Sequence, residues 1–132
     1  MQFSQIQHVT LIVQDLQRAT AFYREVLGLQ EIAIPTTFVA AGMKVRWFQI
    51  GAQQLHLLQG SEPNQVSPRH PAFQVADAQA ARADLRARGL ELDEDVPIPG
   101  ADRFFLTDPD GNRIEIIEWQ QAYTVIPVSE PG

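Results

Sequence analysis

Apolar and polar side chains change period twice in the first sixty residues. Over residues 6–13 the chain is rich in β-branched residues. In an extended backbone Val9, Leu11 and Val13 fall on one side and His8, Thr10 and Ile12 on the other, the two-residue period of a strand. From Asp15 onward Leu16, Ala19, Phe22, Tyr23, Val26 and Leu27 recur at steps of three and four, which predicts a helix capped by Asp15 and closed at Gly28. Residues 31–34, 44–50 and 53–59 then read as strands, the last two divided at Gly51 and Ala52. The order is β-α-β-β-β.

After a polar connector over residues 60–69, carrying Pro63, Asn64, Ser67 and Pro68, the same plan starts again. Residues 70–75 form a short strand. Asp77 then caps a helix with Ala78, Ala81 and Leu85 on its apolar side, and Gly89 ends it. Strands are expected over 91–96, 103–107 and 113–119, with Asp108-Pro109-Asp110-Gly111-Asn112 as the last turn. Aligning QHVTLIVQD with RHPAFQVAD superposes His8 on His70, Val13 on Val75 and Asp15 on Asp77, a constant offset of 62 (70 − 8, 75 − 13, 77 − 15). A period seen only twice does not build a solenoid, which needs at least three stacked units. It suits two modules, 6–59 and 70–119, of one domain spanning 1–132 and closing one site between them. The tail over 120–132, with Pro127 and Pro131, reads as loosely organised or as an edge arm.

Composition narrows the function classes. With 132 residues, 45% of them apolar and 20% charged, the chain can bury a core without staples. Cysteine is absent, which removes disulfides, thiolate metal sites and a nucleophilic thiol. The first ten residues have no cationic segment leading into an apolar run, and no apolar stretch approaches 18 residues, so a soluble, cytoplasmic protein is expected. A net charge of −6 repels phosphate backbones and anionic lipid, so neither nucleic acid nor membrane is an expected partner. A small-molecule substrate remains open, because a bound cation inverts the local field.

Candidate chemistry lies in the polar residues that interrupt the strands. His8 and His70 face away from the helices by strand parity, His56 stands between Leu55 and Leu57, and Glu115 between Ile114 and Ile116. The chain has only three histidines, and two hold equivalent places in the repeat. Three imidazoles and a carboxylate converging in a pocket would leave Glu115 an expensive desolvated charge, which a divalent cation would neutralise. The expected ligands are therefore His8, His56, His70 and Glu115, and the donor types suit Zn²⁺, Ni²⁺, Co²⁺, Mn²⁺ or Fe²⁺. In a proton-transfer reaction Glu115 is also the candidate catalytic base. Arg46, Trp47, Arg103 and Phe105 are expected to wall the cavity, and an arginine pointing inward would indicate an anionic substrate.

The segments QHVTLIVQDLQRATAFYREVLGL, QLHLLQG, RHPAFQV and FFLTDPDGNRIEIIE together resemble the vicinal oxygen chelate superfamily, which includes glyoxalase I, extradiol dioxygenases, methylmalonyl-CoA epimerase and the fosfomycin and bleomycin resistance proteins. The resemblance spans residues 6–119 and implies an α+β fold of two βαβββ modules forming an incomplete barrel around a metal site, commonly completed as a homodimer. The metal-bearing positions of that family fall on His8, His56, His70 and Glu115. The chain departs from glyoxalase I at His56, where a glutamate is usual, and at Ile12 and Gly60, where an arginine and an asparagine help hold glutathione. The implied function is a divalent-metal-dependent lyase or isomerase of glyoxalase-like type acting on a small oxygen-chelating substrate. The alternatives are an Fe²⁺-dependent extradiol-type dioxygenase using His8, His70 and Glu115, and a metal-free ligand-sequestering resistance protein.

Overall fold

The computed structural model describes residues 1–123 and 127–129. The chain is α+β and divides into two compact units, one made of residues 1–71 and 107–114, the other of 72–106 and 115 onward.

The first unit carries a mixed four-stranded sheet in the order β1-β4-β3-β2, from β1 (His8–Val13), β2 (Gln30–Ile32), β3 (Val45–Ile50) and β4 (Gln53–Gln59). β1 runs parallel to β4, and β4-β3 and β3-β2 are antiparallel. The expected helix forms as α1 (Leu16–Ala21), its first turn held by the Asp15 carboxylate accepting from the Arg18 amide at 3.0 Å. It continues through one π-helical turn, Phe22–Val26, instead of staying regular to its end. Gly28 closes it at φ 71°, where a side chain would be strained. α1 lies against β3 and β4 and buries Ala19, Phe22 and Tyr23 on the side of the sheet that carries Phe48, Leu55 and Leu57, all three fully buried. A second helix, α2 (Thr36–Ala40), follows Pro35 in a stretch for which the sequence suggested no element.

Into this unit comes the Asp108–Asn112 turn. Asp108 accepts from the buried Tyr23 hydroxyl at 2.7 Å, Asp110 from the Gln14 amide and Arg18, both at 2.9 Å, and Asn112 donates to the Ile12 carbonyl at 2.9 Å. The turn is thus a structural plug that satisfies the end of β1 and the inner face of α1.

In the second unit β5 (Ala72–Gln74), β7 (Arg113–Trp119) and β6 (Ala101–Thr107) form a sheet in the order β5-β7-β6, with β5 parallel to β7 and Ala72 opposite Glu115. α3 (Ala78–Ala87) is capped by Asp77, which accepts from the Ala80 amide at 2.9 Å, and Gly89 ends it at φ 85°. Arg82 of α3 is buried, paired with Asp102 at 2.8 Å and Glu94 at 2.9 Å, and lies 4.8 Å over the Phe104 ring.

Two expectations fail here. The strand expected over 91–96 is reduced to a single bridge between Asp93 and Phe105. Glu91, Asp93, Glu94 and Asp95 crowd that segment and Pro97 follows it, so charge repulsion and a missing donor oppose a ladder. The module is therefore β-α-β-β-β-like with one strand vestigial. β5 begins at Ala72 because Pro71 brings no N–H, which leaves His70 on the loop before the strand. In the tail Tyr123 packs on Trp119 at 5.3 Å, while Pro131 lies outside the described residues. Among the described residues no helix is long and apolar enough to cross a membrane.

Candidate functional site

The β3-β4 hairpin turns through Gly51 and Ala52 and pairs Ile50 with Gln53, which brings Trp47 opposite His56. On the other side of β4 the register sets His56 level with Thr10, one strand step from His8 on the same face. Three flat rings therefore line up across three strands. Trp47 and His56 stack at 3.9 Å with planes 2° apart, and His56 and His8 at 4.0 Å with planes 18° apart. Phe38 of α2 meets Trp47 edge-on at 5.6 Å. His56 is 8% exposed, and its Nε2–H donates to Gln54 Oε1 at 2.8 Å. Burial, and secondarily the nearby His8, push its pKa down to about 4, so it is neutral at physiological pH.

His8 lies exposed on the edge strand, its Nδ1–H donating to Gln7 Oε1 at 2.6 Å. His70 donates through Nδ1 to the Pro68 carbonyl at 2.8 Å. In both bonds the partner is a carbonyl oxygen, so Nδ1 is the donor.

Glu115, in the second unit, is buried on β7 and accepts from Arg103 Nη1 at 2.9 Å. Asp102 and Phe104 turn toward Arg82 of α3, so by alternation Arg103 and Phe105 take the opposite face of β6, with the guanidinium 5.3 Å over the Phe105 ring and donating to the Val96 carbonyl at 2.7 Å. Arg46, by contrast, shares the helix-covered face with Phe48 and pairs with Glu31, an ion pair that lowers the Glu31 pKa. It does not join the imidazole face, and of the expected wall residues in this unit only Trp47 does.

The sequence-derived donors are thus brought together in part. His8 and His56 meet in a stack, whereas among the described residues no three His, Asp or Glu side chains gather into a group able to hold a metal ion. His8 and His70 each donate through Nδ1, and in the second unit Glu115 is a buried carboxylate paired with Arg103. The roles of Gln7 and Gln54 beside the histidines escaped the sequence reading, whereas Trp47 was expected on this face. The two-residue hairpin alone fixes Trp47 against His56, so that signal was present in the letters.

Residues 5–116 match the family model of the glyoxalase/bleomycin resistance protein/dioxygenase superfamily. A crystal structure of a glyoxalase family protein from Bacillus anthracis superposes with a TM-score of 0.82 and 32% identity, covering 89% of this chain and 97% of that one. The lactoylglutathione lyase of Salmonella typhimurium is 31% identical over 87% of this chain and 93% of its own. Fosfomycin resistance protein FosX of Mesorhizobium japonicum is 28% identical over 84% and 83%. With the repeated β-α-β-β-β-like plan and these likenesses to small-molecule enzymes, the chain belongs to the glyoxalase/bleomycin resistance protein/dioxygenase superfamily.

Proposed function

We propose that the protein is a divalent-metal-dependent enzyme of the glyoxalase-like lyase or isomerase class, acting on a small substrate that presents neighbouring oxygen atoms. The observation that carries this reading is the likeness to a lactoylglutathione lyase that is 31% identical over 87% of this chain. The ligands are drawn from His8, His56, His70 and Glu115, and Zn²⁺, Ni²⁺, Co²⁺, Mn²⁺ and Fe²⁺ all accept such donors. When bound, the ion supplies Lewis-acid stabilisation of negative charge developing on a substrate oxygen. Glu115 accepts from Arg103, and serves as a base only once that guanidinium has moved to another partner. Arg103, on the face of Glu115, is placed to receive an anionic substrate group.

Likeness to a fosfomycin resistance protein favours a second reading, in which the oxygen-bearing substrate is fosfomycin itself. A homodimer is proposed as the working form, supported by Phe3 at 85% and Ile6 at 71% exposure just ahead of edge strand β1. Light scattering should then give twice the 14.8 kDa chain mass.

The deciding experiment is metal analysis of protein purified without a metal-binding tag, followed by aerobic and anaerobic turnover of 2-oxoaldehyde–thiol adducts, catechols and fosfomycin. The proposal expects a transition metal at one equivalent per chain and turnover that does not need O₂. Metal-stimulated O₂ consumption with catechol would replace it with the dioxygenase reading, and tight ligand binding by metal-free protein without turnover would replace it with sequestration.

A further inference from the structure

We infer that Arg103 takes the place expected for a metal ion at Glu115, and that the pair forms a recognition site for a small oxyanion within the second unit. Glu115 thereby leaves the ligands on which the metal reading above draws, and the pair stands whether or not that reading holds. A carboxylate buried on β7 needs a counter-charge, which the sequence reading assigns to a divalent cation. The structure supplies it from the adjacent strand. Arg103 Nη1 donates to Glu115 Oε1 at 2.9 Å, and the two side chains are 16% and 9% exposed.

The guanidinium is fixed from three sides. Besides Glu115 it donates to the Val96 carbonyl at 2.7 Å, and its carbon lies 5.3 Å over the Phe105 ring. A dication approaching Glu115 would meet this fixed positive charge, and a guanidinium does not step aside by shedding a proton as an imidazole does. Turning it away would leave it on an aromatic ring without its carboxylate, the costly half of a broken buried pair. Glu115 is therefore committed to Arg103.

The unmet need of the site has the opposite sign. A guanidinium carries five N–H donors, of which Arg103 uses two, and among the described residues its buried Nε–H has no acceptor. What completes such a group is an oxygen lone pair, and an anionic oxygen makes the shorter and stronger bond. A carboxylate or phosphonate fits this chemistry, and a cation does not. Glu115 then sets the strength of capture, because an incoming anion shares the guanidinium with a resident competitor.

The test uses the full chain, with Zn²⁺ alone and then methylphosphonate or acetate alone as probes, at ionic strength matched with chloride. In protein labelled with ¹³C-glutamate, the Glu115 carboxyl signal, assigned with Glu115→Gln, should stay in place when Zn²⁺ is added. The Arg103 Nε–H signal should shift with millimolar methylphosphonate or acetate, and the tighter of the two tells a phosphonate ligand from a carboxylate one. Arg103→Gln should weaken anion binding by about 10- to 100-fold. Glu115→Gln, which removes the competitor, should strengthen it by about threefold, a sign that loss of packing does not produce. Movement of the Glu115 carboxyl with Zn²⁺ in the unaltered protein, or an Arg103 Nε–H indifferent to both anions, overturns the inference. Both signals are read without a variant and decide the matter even if a variant misfolds. Zn²⁺ shifts confined to the histidines leave the metal reading standing beside this site, whereas no response to Zn²⁺ anywhere brings that reading down and leaves the Arg103–Glu115 site as inferred.

Discussion

Burial on an inner strand and the neighbouring His8 keep His56 neutral down to about pH 4, whereas in the unfolded chain its imidazole takes a proton near pH 6.5. Between those values the unfolded state binds more protons than the folded one, so stability rises with pH across the interval and falls on acidification. The expected cost of going from pH 7 to pH 4 through this group is about 2–3 kcal/mol. Glu31 and Asp102, whose pKa values are lowered by hydrogen bonds from Arg46 and Arg82, lose their contribution only further down, below the ordinary carboxylate range. A proton NMR titration of the metal-free protein should place the His56 midpoint near 4, and urea unfolding should show the slope between pH 4 and 6.5 flattening in His56→Phe. A midpoint near 6.5 would remove the desolvated imidazole from the account.

Among the elements, the two capped helices give the plainest check on the repeat. Asp15 and Asp77 stand at equivalent positions, and each accepts from the amide three residues on. Asp77→Ala should lower unfolding free energy by about 1 kcal/mol, read by urea denaturation at fixed pH. Both helix caps, both closing glycines and the strands β4 and β7 were legible from periodicity and turn chemistry alone, and the hairpin at Gly51 and Ala52 set the register that aligns Trp47 with His56. What could not be read was the effect of competing local forces. The segment over 91–96 was expected as a strand, yet its four acidic side chains leave one bridge. His70 has the parity of a strand residue, yet Pro71 delays the ladder to Ala72. For the site, residue types and faces were readable, but ring planes and tautomers were not, because they depend on Gln7, Gln54 and Pro68, whose pattern in the sequence is that of ordinary surface positions.

At the scale of the whole molecule, the sequence repeat and the compact units do not share a boundary. The repeat divides at the connector over residues 60–69, but the first unit also takes in residues 107–114. Its buried Tyr23 hydroxyl finds its acceptor on that later segment, and the Ile12 carbonyl accepts from Asn112 there as well as from Asn64. A fragment of residues 1–71 would bury a phenol without its acceptor, so it should show no cooperative unfolding transition by circular dichroism, and mixing in a peptide of residues 105–116 should restore at least part of one. A fragment that folds unaided would contradict this.

That borrowed turn constrains the ancestry of the chain. A tandem duplication leaves two copies that are at first interchangeable, but once the first completes its interior with a loop from the second, the first no longer stands by itself. Five residues at a strand crossing thereby turn a doubled gene into a single heritable part.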